Sequence, residues 1–253
     1  MVKVIMHGCN GHMGRVVTDI CSKDENTKIV AGIDPYTGVP NEYPVFESLD
    51  KCDIEADVII DFSNASSIEA LIKYAVSTST PVVLCTTGLS DEQLGEVEDA
   101  SAKVAILKSA NMSLGINTLM DLVKKAANIF VEAGYDIEIV EKHHNRKVDA
   151  PSGTAIALAD SINEEYGNSY EYVYDRSTRR EKRPEKEIGI SAVRGGTIVG
   201  DHDVIFAGMD EVITLSHTAY SRSVFAKGAV EAAKFLAGKP AGMYDMKDVI
   251  ADK

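Results

Sequence analysis

Residues 141–155 read EKHHNRKVDAPSGTA: two adjacent histidines, His143 and His144, stand ahead of Arg146 and Lys147 and a Pro-Ser-Gly-Thr turn. Histidine titrates near neutrality and suits general acid or base work, and lysine is a compact point charge that can donate a proton. The two histidines end a predicted strand, so their side chains leave on opposite faces and serve different tasks. Lys147 follows in a loop able to bring its ammonium back towards one of them. Gly153 and Thr154 then open a helix, whose first N–H groups and threonine hydroxyl suit a carboxylate. The chemistry implied is capture of an acidic small molecule and delivery of a proton to it. This cationic cluster lies in a chain of net charge −13.

A second chemical segment opens the chain. VKVIMHGCNGHMGR is a strand running into Gly8-Cys9-Asn10-Gly11-His12-Met13-Gly14. The spacing is G-x-x-G-x-x-G, where the usual dinucleotide fingerprint begins G-x-G. Glycine at a tight turn lets backbone N–H groups approach a pyrophosphate, and the following helix adds its N-terminal partial charge. Asp34 stands 20 residues beyond Gly14 at the end of the second predicted strand, where an acid accepts the ribose hydroxyls. That carboxylate repels a 2′-phosphate, and Pro35 brings no positive charge. NADH is therefore the expected cofactor, with NADPH as the alternative.

The elements that must position these groups follow from apolar patterning. Strands are predicted at 2–7, 28–34, 56–63, 80–86 and 103–108, as nearly continuous Val/Ile runs, with helices at 12–23, 65–78 and 90–101 capped by Ser90. This alternation predicts a doubly wound, Rossmann-like parallel sheet. After Asn111 come a long amphipathic helix over 113–133, a strand at 136–140, a helix over 154–166 and strands at 171–174, 188–194, 200–207 and 211–219. That order predicts an α+β domain with a mixed open sheet. A helix at 223–238 and a short tail close the chain. The expected division is 1–112 with 223–253 as the dinucleotide-binding domain and 113–222 as the substrate-binding and oligomerisation domain, joined by compact hinges near 111–114 and 220–224. The charge-dense stretch 175–187 reads as a solvated loop.

Composition narrows the functional classes. The acidic balance argues against a nucleic-acid partner, which needs a basic face. No apolar run is long enough for a membrane span, and no signal peptide is expected. Cys9, Cys21, Cys52 and Cys85 form no C-x-x-C pair, so no zinc or redox site is expected; buried free thiols suit a reducing cytoplasm. His7, His12, His202 and His217 read as packing or flanking residues.

The 141–155 segment closely resembles the signature of the dihydrodipicolinate reductase family of bacterial lysine biosynthesis. The resemblance continues through Gly8–Gly14, Asp61-Phe62-Ser63, Thr86-Thr87-Gly88, Ser109–Ser113, Arg194–His202 and Met243–Met246. It implies reduction of a cyclic imine dicarboxylate by hydride from NAD(P)H, with loss of water. His143 then matches the family's acid/base histidine and Lys147 its proton-donating lysine. His144, Gly153 and Thr154 match substrate-carboxylate contacts. Gly8, Cys9, Asn10, Gly11, His12, Met13, Asp34, Cys85, Thr86, Thr87, Ser109, Ala110, Asn111 and Met112 match cofactor contacts. A homotetramer, built through the sheet of the second domain, is also implied. Two departures stand out: Cys85 where the family usually has glycine, and Pro35 where several members carry a basic residue.

Two other readings compete. One is a different nicotinamide-dependent reductase on the same plan, such as an amino-acid or aldehyde dehydrogenase; an acylating aldehyde dehydrogenase needs a cysteine nucleophile, and no cysteine lies beyond Cys85. The other is a nucleotide-sensing regulator, for which no basic helix-turn-helix region is visible.

Overall fold

Strands covered on both faces must be apolar on both, and the first half of the chain obeys this. In the computed structural model, which describes residues 1–252, strands β1 (Val2–His7), β2 (Thr27–Ile33), β3 (Val45–Phe46), β4 (Val58–Asp61), β5 (Val82–Leu84) and β6 (Ala105–Lys108) lie in one sheet with β12 (Gly242–Tyr244). Lys253, the last residue assigned above to the nucleotide domain, lies outside the described residues. The order is β12-β6-β5-β4-β1-β2-β3, with every pairing parallel. Helices α1 (His12–Ser22), α6 (Ser223–Leu236) and α7 (Met246–Ala251) contribute to the core on one face, with Val4, Met6, Val58, Ile60 and Leu107. Helices α2 (Ile68–Thr78) and α3 (Asp91–Ser101) cover the other, over Ile5, Ile33, Ile59, Leu84 and Ile106. Ser90 caps α3 as expected, with Gln93 completing a capping box.

Strand order reverses between β1 and β4, so the loops at their carboxyl ends diverge and leave a crevice there. The glycine turn begins immediately after β1. This unit comprises Met1–Leu114 and the chain from Ser223 onward.

The second compact unit, Gly115–Arg222, takes in most of α4 (Leu114–Phe130), then β7 (Asp136–His143), α5 (Gly153–Glu165), β8 (Glu171–Val173), β9 (Glu187–Arg194), β10 (Gly200–Ala207) and β11 (Val212–Ala219). The sheet order is β11-β10-β7-β9-β8; β10 runs antiparallel to β7 and β11, while β9 runs parallel to β7 and β8. The sheet is therefore mixed. Helices α4 and α5 pack on one face through Ile116, Val123, Leu158 and Ile162 against Ile137, Ile139, Val204 and Phe206. Burial alternates along β7 and β10, as expected of a sheet covered on one side.

Three local expectations change. Strand β7 runs on to His143, because Lys142 pairs with Asp201 and His143 with Arg194. The supposed tail contains β12 and α7; three residues carry no readable period, and it is the edge of β6 that makes them a strand. The 175–187 loop is anchored rather than merely solvated: Arg176 and Arg183 both reach the fully buried Glu187, the latter at 3.0 Å.

Candidate functional site

In the first unit, backbone geometry builds the glycine turn. Gly8 has φ +80°, and a Cβ there would lie 2.6 Å from the carbonyl oxygen of Phe62, at the end of β4. Gly14 packs its α-carbon against the backbone of Gly8 and Cys9, leaving no room for a side chain. Gly11 is the N-cap of α1, which has no side-chain cap and no acid in its first turn. The first N–H groups of α1 are thus uncompensated by side chains of their own helix. This glycine-lined helix N-terminus fits a phosphate, and so a dinucleotide.

Asp34 is held against this turn. Its Oδ2 accepts from the N–H of Asn10 at 3.0 Å and its Oδ1 from the N–H of Tyr36 at 3.0 Å. Arg15 Nε donates to the Asn10 carbonyl at 3.1 Å, tying its guanidinium to the same turn. His12 is exposed and Met13 half-buried at the start of α1, and Cys9 is fully buried. Burial, followed by the charge of Asp34, pushes the Cys9 thiol up to about 11, so it is an inert packing group.

The other expected cofactor residues surround the ends of β5 and β6. Asp61 is fully buried at the end of β4; its Oδ1 accepts from Ser63 Oγ at 2.6 Å and lies 2.8 Å from His7 Nδ1, and its Oδ2 accepts from Thr86 Oγ1 at 2.6 Å. Burial opposes charge on Asp61, yet these partners outweigh it and hold the carboxyl below its ordinary range. The Thr86 hydroxyl is thereby committed to Asp61, while Thr87 is exposed. Cys85 has its thiol raised by burial and then by Asp61. Ser109, Ala110, Asn111 and Met112 follow β6; the Asn111 side chain accepts from the N–H of Ser113 at 2.8 Å. Met112 is buried where the backbone of α6 crosses it at Gly228, with no space for a Cβ.

In the second unit, one face of β7 changes character along its length. Ile137 and Ile139 enter the core; Glu141 and His143 follow with the same period of two. Glu141 is fully buried and is surrounded by donors. Arg194 Nη1 reaches Oε2 at 2.7 Å and Nη2 reaches Oε1 at 2.6 Å, the Ser152 N–H donates to Oε1 at 2.9 Å, and His143 Nδ1 meets Oε2 at 2.6 Å. Burial disfavours the charge, but these bonds hold the Glu141 carboxyl below its ordinary range. Ser152 also caps α5, accepting from the N–H of Ala155 at 3.2 Å, and its Oγ meets His202 Nε2 at 3.0 Å. The His143 and His202 rings stand edge to face with centroids 5.2 Å apart. Burial first, then the neighbouring His143, drives His202 down to about 4, so it is neutral at physiological pH.

The loop after β7 turns back on itself. Lys147 N–H donates to the carbonyl of His144 at 3.1 Å, and the Lys147 ammonium meets Asp149 at 2.8 Å. His144 is half-buried and takes no part in the Glu141 cluster. Gly153 begins α5 with open space beside its α-carbon, and Thr154 follows it. The structure thus gathers His143 with Glu141, Ser152, Arg194 and His202, four residues for which the sequence suggested no such role. Arg194 is bound to Glu141. His202, expected as a packing residue, belongs to the same cluster. Among the described residues no group of histidine, cysteine or acidic side chains could hold a metal, and no helix is long and apolar enough to cross a membrane.

Fold and glycine turn together define a class: a dinucleotide-binding protein on a Rossmann-type sheet. Residues 2–112 match the family Dihydrodipicolinate reductase, N-terminus, and residues 115–250 match Dihydrodipicolinate reductase, C-terminus. The chain belongs to the dihydrodipicolinate reductase family. It is 54% identical over 250 residues to the 4-hydroxy-tetrahydrodipicolinate reductase of Caldanaerobacter subterraneus subsp. tengcongensis, covering 99% of this chain and 98% of that one. Identity to the enzyme of the same name from Clostridium tetani is 51%, over 97% of this chain and 96% of the relative. A solved dipicolinate-bound dihydrodipicolinate reductase from Paenisporosarcina sp. TG-14 superposes with a TM-score of 0.82 at 26% identity, over 99% of both chains.

Proposed function

We propose that this chain reduces 4-hydroxy-tetrahydrodipicolinate to tetrahydrodipicolinate, with loss of water, in diaminopimelate and lysine biosynthesis. The observation that carries the reading is the 141–154 segment, assembled on β7 and the N-terminus of α5 in a chain related over its whole length to reductases of that substrate. A reduced pyridine nucleotide, when bound, supplies the hydride. Gly8 to Met13, Asp34, Cys85 to Thr87 and Ser109 to Met112 are the residues we assign to holding it.

The protein supplies anion binding, orientation and a proton. The first N–H groups of α5, at Gly153 and Thr154, hold one substrate carboxylate, with His144 as a further contact. A lysine ammonium has three N–H bonds; Asp149 takes one from Lys147, which leaves protons for the substrate. Lys147 donates the proton that completes reduction. His143, as the imidazolium held on Glu141 through Nδ1, presents its Nε2–H, stabilises negative charge as it develops and keeps the substrate in place. Cations placed in this way act more strongly in the transition state than in the ground state.

NADH is preferred over NADPH on this reading. Asp34 lies where a 2′-phosphate would arrive, and the segment from Pro35 to Phe46 holds no lysine or arginine. One like-charge contact of about 1.4 kcal/mol corresponds to a roughly tenfold preference. Following reduced nucleotide oxidation with synthase-generated substrate tests both points: turnover is expected, with higher kcat/KM for NADH. No turnover would refute the function, and equal or better use of NADPH would refute the preference.

The chain is further proposed to assemble as a homotetramer through the sheet of the second unit. Helices cover one face of that sheet, and along β11 the residues Val212, Thr214, Ser216 and Thr218 are exposed. Light scattering after size exclusion is expected to give four times the chain mass, and a monomer mass would count against it.

A further inference from the structure

We propose that Glu141, clamped by Arg194, is a positioning residue of this reaction, setting the proton of His143 on Nδ1 and leaving Nε2 as the working atom. The inference rests on the role proposed for His143 and adds the device that orients it.

An ionised carboxylate accepts only, offering about four lone-pair sites on two oxygens. Here four donors reach it. Oε1 receives Arg194 Nη2 and the Ser152 N–H, and Oε2 receives Arg194 Nη1 together with His143 Nδ1. Arg194 can only donate. At 2.6 Å from Oε2, the Nδ1 of His143 must therefore donate as well, so the neutral ring carries its proton there. The cluster is buried, where unmet hydrogen-bonding groups are costly, so this arrangement resists exchange.

The other ring nitrogen is treated differently. His143 Nε2 has no hydrogen-bond partner among the described residues. A Cβ at Gly200 would lie 3.0 Å from it, so the glycine leaves that edge of the imidazole open. His202, the neighbouring ring, is neutral and does not repel positive charge on His143. The backbone adds to the clamp: Arg194 Nη2 also donates to the Asp149 carbonyl at 2.7 Å, tying β9 to the loop that carries Lys147.

The test is Glu141→Gln, which keeps the shape but offers one accepting oxygen to the same donors. Expected are a fall in kcat of about 10²-fold with KM within about threefold, unchanged NADH affinity, and nitrogen-15 shifts showing His143 ring protons shared between Nδ1 and Nε2. Wild-type protein should show Nδ1 protonation alone in the neutral ring. Because Glu141→Gln strands the Arg194 charge, the double variant Glu141→Gln with Arg194→Met removes the pair together and guards against misfolding. The same kcat loss and mixed ring signals in that folded double variant would support the proposal. Wild-type kcat in either folded variant, or His143 still protonated only on Nδ1, would overturn it. His143→Ala separates the two readings: inactive His143→Ala beside a fully active Glu141→Gln sinks the positioning role alone. A fully active His143→Ala sinks the reading on which it rests.

Discussion

Lys147→Ala is expected to lower kcat about 10³-fold, with a KM change of only a few-fold. A positioned proton donor is worth 10² to 10⁴ in rate, and its loss falls on the chemical step rather than on ground-state binding. The structure supports the assignment through the turn that closes from His144 to Lys147 and the ion pair that fixes the ammonium on Asp149. His143→Ala is expected to cost less, about 10²-fold, because in this division the ring stabilises charge but does not deliver the proton. Steady-state kinetics on purified variants checks both. Near-normal kcat with only a raised KM in Lys147→Ala would show that the lysine binds substrate and that the proton comes from elsewhere.

Gly8→Ala is expected to be the most damaging change in the nucleotide unit. At φ +80° an alanine is strained by about 1 kcal/mol. Its methyl would also sit 2.6 Å from the Phe62 carbonyl oxygen, a backbone atom fixed by the N–H of Phe62 bonded to His7 in β1. Strands β1 and β4 would have to part where their carboxyl ends form the crevice. Together these effects should remove about 2–4 kcal/mol of stability and weaken NADH binding at least about tenfold. Thermal unfolding and a fluorescence titration with NADH measure the two losses separately. An unchanged midpoint and affinity would mean that the turn is not closed against β4 as described.

Much of this molecule is legible along the chain because its signals are local. Continuous Val/Ile runs announce strands covered on both faces, and Ser90 with Gln93 three residues on announces a helix start. The glycines at 8, 11 and 14 announce a turn that a side chain would obstruct. Family membership is equally local, since the 141–155 segment is contiguous. Such features depend on neighbours a few residues apart, which the sequence displays directly.

Glu141, Ser152, Arg194, Gly200 and His202 are different. Alternation along β7 places Glu141 on the covered face with Ile137 and Ile139, a hint available from sequence; beyond His143, however, its carboxylate partners lie 11 and 53 residues further on, and His202, opposite it in β10, 61. Only the antiparallel pairing of β10 with β7 and the parallel pairing of β9 with β7 bring them together. The same holds for Asp61, whose Thr86 partner arrives in the turn after β5. By itself the sequence determined most of the long elements and the family they build. Tertiary pairing decided which buried charges meet, because a carboxylate stays ionised in a core only where enough donors converge on it, and local neighbours alone do not supply them.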